Sequence, residues 1–247
     1  MPFALDVQVR TVPKAGNTDA QNEDAAAVAA KLRRVAVADG ASEGWQSGPW
    51  AKVLATAYVR TPPEPPTFDE WAAAAREQAP RSEAKSWYAE EKSALGSFAT
   101  LLGVAFEETK DGGIKWRAAA VGDSCLFQVR GAKLLTKFPV ESVADFSNRP
   151  NLVGSAETAP RPEVEWFAGR AELGDVFYLL TDAVAEWFLR TRDANKMPWA
   201  ELDQVTSSSL PPAAFAVWVK SLRDGKQMKN DDSTAVRIAV QPSQDSP

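Results

Sequence analysis

The chain has 247 residues, 45% hydrophobic and 25% charged, an ordinary globular composition with enough apolar material to bury a core. A net charge of -5 and a pI near 5.0, with no sustained run of Lys or Arg, argue against nucleic acid or an anionic membrane as a partner. Histidine is absent, which excludes Ser-His-Asp and Cys-His catalysis, histidine phosphotransfer and zinc hydrolases of the H-E-x-x-H kind.

The first residues, MPFALDVQVRTVPK, alternate apolar and polar side chains and lack the layout of a secretory signal, and no apolar run approaches membrane-spanning length, so a cytoplasmic protein is expected. The lone Cys125 agrees with a reducing compartment. Residues 3 to 12 read as a strand, Asp24 to about Leu32 as a second, and Arg33 to Ala38 as a third that stops at the turn pair Asp39-Gly40. Trp50, Val53, Leu54, Ala57 and Tyr58 fall at helical spacing between Ser47 and Arg60, and Thr61-Pro62-Pro63 ends that helix. A second helical region is expected from Phe68 to Glu91, broken near Pro80.

Strands return at Phe98 to Phe106, Trp116 to Val121, Cys125 to Val129 and Lys133 to Lys137, the spacing of an antiparallel meander. Residues 138 to 160 show no period and read as a functional loop, or flap. Strands at about 163 to 168 and 175 to 181 lead to a helix starting near Ala183, helical segments at 199 to 206 and 213 to 224, and a closing strand from Ser233 to Val240. This order suits an α+β fold with two antiparallel sheets flanked by helices, in a single domain over residues 1 to 241 with a frayed tail at 242 to 247.

Aspartates recur where apolar strands end: Asp39 after Val35-Ala36-Val37-Ala38, Asp123 after Val121-Gly122, Asp182 after Leu179-Leu180-Thr181, while Asp231 leads into the last strand. Singly, each is more often a turn or capping residue than a ligand. Together they invite a common explanation, because an ionised carboxylate beside a buried strand is costly unless paired or metal-bound. Oxygen ligands without His or Cys select Mg²⁺ or Mn²⁺. If they converge, two ions about 3.5–4 Å apart could acidify a water and neutralise a phosphoryl group.

The segments Asn22-Glu23-Asp24, Val37-Ala38-Asp39-Gly40, Val121-Gly122-Asp123-Ser124, Leu179-Leu180-Thr181-Asp182 and Asp231-Asp232-Ser233-Thr234 occur in that order. In order and spacing they resemble the motifs of metal-dependent type 2C (PPM) protein phosphatases, in a bacterial-like form. The resemblance implies a four-layer α/β/β/α sandwich with two central antiparallel sheets. It also implies hydrolysis of phosphoserine or phosphothreonine in a protein substrate, by a water bridging two Mn²⁺ or Mg²⁺ ions. Carried over, Asp39 bridges the metals and Gly40 offers its carbonyl. Asp182 and Asp231 complete one metal, Glu23 and Asp24 hold metal-bound waters or ligate the other, and Asp123 joins Asp182 at a third, weaker site. Asp24, Asp39 and Asp182 are thus the expected catalytic carboxylates, and residues 138 to 160 fall where the family has its flap.

Three departures stand out. Family members usually carry a phosphate-gripping arginine four residues before the Glu of the acidic pair, where this chain has Asp19; Lys14 is the candidate replacement, against the commoner reading as a solvated surface lysine. Ala41 stands where eukaryotic relatives have a histidine, and Ala183 where a glycine often follows the late aspartate. Cys125 and Arg130 are separated by four residues in an alternating strand, so Cys125 reads as a core thiol, and most of the nine tryptophans read as packing between helix and sheet. Two rivals remain: a pseudophosphatase acting as a regulatory or binding module, for which Asp19 speaks, and a phosphohydrolase on a parallel α/β sheet, against which the strand-rich stretch 98 to 137 speaks. A monomer is expected.

Overall fold

A computed structural model describes residues 3–41, 46–79, 96–146, 150–207, 209 and 211–243. Twelve strands are described: β1 (Phe3–Val12), β2 (Asp24–Ala29), β3 (Arg34–Asp39), β4 (Phe98–Ala99), β5 (Leu101–Glu108), β6 (Ile114–Val121), β7 (Cys125–Arg130), β8 (Lys133–Phe138), β9 (Val153–Gly154), β10 (Glu165–Ala171), β11 (Val176–Leu180) and β12 (Ser233–Pro242). Five α-helices accompany them: α1 (Ser47–Arg60), α2 (Phe68–Arg76), α3 (Asp182–Asp193), α4 (Pro198–Thr206) and α5 (Ala213–Asp224). One sheet runs β1-β12-β11-β7-β8, the other β10-β6-β5-β3-β2, and every pairing is antiparallel.

The period-two alternation of the strands builds the layers. Val35, Val37, Leu102, Val104, Trp116, Leu126, Phe177, Leu179, Val236 and Ile238 point between the two sheets. Their strand neighbours point the other way. Phe127, Tyr178, Leu180 and Ala235 pack under Trp187, Phe188, Trp199, Leu202 and Phe215 of α3, α4 and α5. Ala36, Ala38, Leu101, Ala119 and Val121 pack under Trp50, Leu54 and Tyr58 of α1 and Phe68 of α2. The result is the α/β/β/α sandwich. Trp50 and Trp187 are buried at helix–sheet contacts, and Cys125 is a buried core thiol.

Some boundaries differ from the sequence reading. β2 ends at Ala29, because Ala30–Leu32 form a 3₁₀ turn and Arg33 takes a left-handed conformation (φ 55°) to reverse the chain into β3. α2 ends at Arg76, short of Pro80, and the helical expectation for 80 to 91 lies outside the described residues. β10 begins at Glu165 and continues to Ala171, paired with β6 down to Ile114. Within 138 to 160, Val153–Gly154 pair with Phe98–Ala99, Trp50 Nε1 donates to the Val153 carbonyl at 2.8 Å, and Arg76 Nε donates to that of Gly154 at 3.0 Å. The far end of the expected flap is therefore fastened to α1 and α2. Of the tail expected to begin at 242, Pro242 still pairs with Phe3 in β12.

Gly103 in β5 lies directly beneath the Tyr58 ring of α1. A Cβ there would stand 2.4 Å from three ring carbons. Gly103→Ala is expected to cost about 2 kcal/mol by overpacking, read as a lowered midpoint in thermal or urea unfolding.

Candidate metal centre

The aspartates meet because antiparallel strands deliver them to one edge of the sandwich. Asp24 opens β2 and Asp39 closes β3, and the two are directly opposite in register. Asp123 follows β6, Asp182 opens α3 just after β11, and Asp231 precedes β12. Gly40 follows Asp39 where the chain passes against the start of α1; a Cβ would lie 2.6 Å from the Ser47 carbonyl carbon, so only glycine fits. The Gly40 N–H donates to the Glu23 carbonyl at 3.2 Å, tying the acidic pair to the Asp39-Gly40 turn.

Hydroxyls and backbone groups hold these segments. Thr181 Oγ1 donates to Asp24 Oδ2 at 2.9 Å and accepts the Thr234 N–H at 2.9 Å, linking β2, β11 and β12. Thr100 Oγ1 accepts the Asp39 N–H at 2.9 Å and lies 3.0 Å from Ser124 Oγ, while the Thr100 N–H donates to the Asp39 carbonyl at 2.8 Å. Asp232 is buried and accepts the N–H groups of Lys14 and Glu23, each at 2.7 Å. It is a structural clasp between the first and last strands.

The charges at this edge are poorly compensated. Burial, followed by the fields of Asp24, Asp182, Asp231 and Asp123, pushes the Asp39 carboxyl well above its ordinary range. Burial raises Asp24 to about 8 against the hydrogen bonds from Thr234 and Thr181, with Asp182 and Asp232 adding to the rise. Burial, then Asp182, raises Asp123 to about 6, and burial raises Asp182 despite Lys229. Asp24 Oδ1 and Asp182 Oδ1 are buried without a hydrogen-bond partner. A group of acids that share a field, repel one another and keep unpartnered oxygens is a donor set suited to hard divalent cations. Among the described residues no group of three or more such side chains stands close enough together to hold a metal ion as placed.

Asp24, Asp39, Asp123, Asp182 and Asp231 thus fall within one electrostatic neighbourhood, and Glu23 and Gly40 join it through the backbone. Lys14 enters through its backbone N–H, on Asp232. Asp19 is exposed on a short 3₁₀ turn, Asp19–Gln21. The sequence reading missed Lys229, whose ammonium pairs with Asp182 Oδ2 and lies 3.6 Å from Asp231 Oδ2. It also assigned no role to Thr181 or Asp232, although both lie inside quoted motifs; position within those motifs was the available signal. Lys229 stands two residues before the last motif and carried no signal of its own.

No protein-family model matches the chain, and no curated protein sequence matches it. Solved structures do. The Mycobacterium tuberculosis serine/threonine phosphatase PstP/Ppp superposes with a TM-score of 0.62 at 18% identity, covering 96% of this chain and 99% of that one. The catalytic domain of PstP in complex with two manganese ions gives a TM-score of 0.60 at 19% identity, covering 97% of this chain and 100% of that one. The PPM Ser-Thr phosphatase MsPP from Mycobacterium smegmatis, in complex with cacodylate, gives 0.60 at 18% identity, covering 98% of this chain and 100% of that one. The chain has the fold of these phosphatases over nearly its whole length. Among the described residues no helix is long and apolar enough to cross a membrane.

Proposed function

We propose that this chain, built on the PPM phosphatase fold, is a metal-dependent phosphoprotein phosphatase acting on phosphoserine or phosphothreonine. The observation that carries the reading is the convergence of Asp24, Asp39, Asp123, Asp182 and Asp231 into one under-compensated cluster with unpartnered buried oxygens. The fold shared with a phosphatase that holds two manganese ions supports Mn²⁺ or Mg²⁺ as the cofactor.

Asp39, Asp182 and Asp231 would hold the ions, with Glu23 and Asp24 on the β2 side, the Gly40 carbonyl as a neutral donor, and Asp123 beside Asp182 at a weaker position. Bound divalent cations supply Lewis acidity, lowering the pKa of water and neutralising phosphoryl charge. The chain's own contribution is position. Thr100 fixes the backbone of Asp39 from both sides, Thr181 orients Asp24, and Asp232 holds the first and last strands together. Cys125 is buried in the α3 layer and without histidine no imidazole is present, so proton transfer falls to carboxylates and water.

The regulatory reading keeps one specific support: the exposed carboxylate of Asp19 where such phosphatases usually carry a phosphate-binding arginine. Hydrolysis of p-nitrophenyl phosphate and a phosphothreonine peptide, with Mn²⁺, Mg²⁺ or EDTA, separates the two. Turnover with metal that EDTA removes is the expected result; absence of turnover in a protein that binds Mn²⁺ would favour the regulatory module.

A further inference from the structure

We infer that Lys229 is a tethered counter-ion standing at the Asp182–Asp231 position and competing there with a divalent cation. The inference rests on the reading above in treating these carboxylates as metal ligands, and adds an intramolecular competitor to it.

The geometry of the loop carries it. Lys229 lies between α5 and β12, and both its neighbours are anchored. Met228 is buried against the α3–α5 core, and Asn230 Oδ1 accepts the Ala15 N–H at 2.7 Å. Arg223 binds the Asp231 carbonyl and Ser233 Oγ, bracing the same loop from below. The backbone of Lys229 is therefore held, while its side chain, 39% exposed, spans to Asp182 and Asp231. An ammonium on a four-carbon stem is a mobile point charge that can leave for solvent when a stronger cation arrives.

Lys229 is also an incomplete answer to the cluster. It reaches only one oxygen of Asp182, leaving Asp182 Oδ1 and Asp24 Oδ1 buried and unpartnered. Its charge acts on Asp182, Asp231 and Asp123, while Asp39 lies in the fields of Asp24, Asp182, Asp231 and Asp123, so one ammonium offsets only part of the cluster. A dication engages several of these oxygens at once and displaces the ammonium, so metal affinity at this position is lowered by the cost of breaking the lysine pairs.

The test is Mn²⁺ binding to metal-free protein, by calorimetry at constant ionic strength with free Mn²⁺ followed by electron paramagnetic resonance. Lys229→Met is expected to tighten at least one Mn²⁺ site tenfold or more, and Lys229→Arg to remain near wild type. Loss of a merely structural lysine would loosen the carboxylates and weaken metal binding, so the direction of change discriminates. Unchanged or weaker binding in a folded Lys229→Met protein overturns the inference while leaving the phosphatase reading intact; no Mn²⁺ binding by either protein overturns both. The wild-type chain provides a second measurement that needs no variant. Acetylation of Lys229 by a water-soluble acylating reagent, mapped by mass spectrometry, should accelerate when Mn²⁺ or Mg²⁺ is added, and an unchanged rate at saturating metal would count against displacement.

Discussion

Asp39→Asn is expected to lower Mn²⁺-dependent hydrolysis of p-nitrophenyl phosphate about a thousandfold, the scale on which a single preorganised electrostatic contact contributes to a rate, without destabilising the metal-free fold. Asp39 faces Asp24 across the β2–β3 pairing and lies in the fields of Asp182, Asp231 and Asp123. Neutralising it removes a proposed ligand and also relieves repulsion among its neighbours. The backbone bonds to Thr100 survive the substitution, since both use the main chain of residue 39. The metal-free variant should therefore melt no lower than the wild type, while the rise in melting temperature produced by Mn²⁺ shrinks. Full activity in a folded Asp39→Asn protein would sink the proposed centre. A large loss of stability without metal would show that the carboxylate has a structural role.

The second large effect concerns stability alone. Asp175, fully buried before β11, accepts from Arg130 Nε at 2.6 Å, Arg130 Nη2 at 3.0 Å, Gln128 Nε2 at 2.8 Å and the Glu172 N–H at 3.0 Å. Asp175→Ala leaves the buried Gln128 amide short of an acceptor and breaks the Arg130 pair and the part-buried Glu172 N–H bond, and is expected to cost about 3 kcal/mol. That is the low end for breaking a buried pair, because Arg130 is partly exposed and water can take up its charge. For a chain of this size the melting temperature should fall by about 6–12 °C. Burial by itself would raise the Asp175 pKa, but the Arg130, Glu172 and Gln128 hydrogen bonds outweigh it and hold the carboxyl below its ordinary value. Its stabilisation is thus present above about pH 4, where the unfolded carboxylate is ionised, and is lost as pH falls through the depressed folded value. The gap between wild type and Asp175→Ala should be constant near neutrality and close in acid; a gap that widens on acidification would refute the assignment.

The sequence by itself determined the layering and the set of acids. In Arg34–Asp39, Ile114–Val121 and Val176–Leu180 successive side chains take opposite faces by position alone, and apolar residues on both faces mark strands covered on both sides; which face meets the other sheet and which a helix came from the tertiary structure. Helical spacing in α1 and the Pro-rich stop after it were equally local. The quoted motifs held every aspartate of the cluster, since each sits at a strand end that turn chemistry already marks.

Only the tertiary structure decided the rest. Asp231 and Asp232 are adjacent and chemically alike, yet Asp232 is buried as a clasp on Lys14 and Glu23, and Asp231 is half-exposed beside Lys229. Their difference depends on β12 lying next to β1, a pairing across nearly the whole chain. The fastening of Val153 and Gly154 to Trp50 and Arg76 and the approach of Lys229 to Asp182 are likewise contacts between segments distant in sequence. Periodicity reports the direction a side chain takes from its own strand or helix. It carries no information about which distant charge will meet it, and that meeting decides how the carboxylates of this site are divided between structure and chemistry.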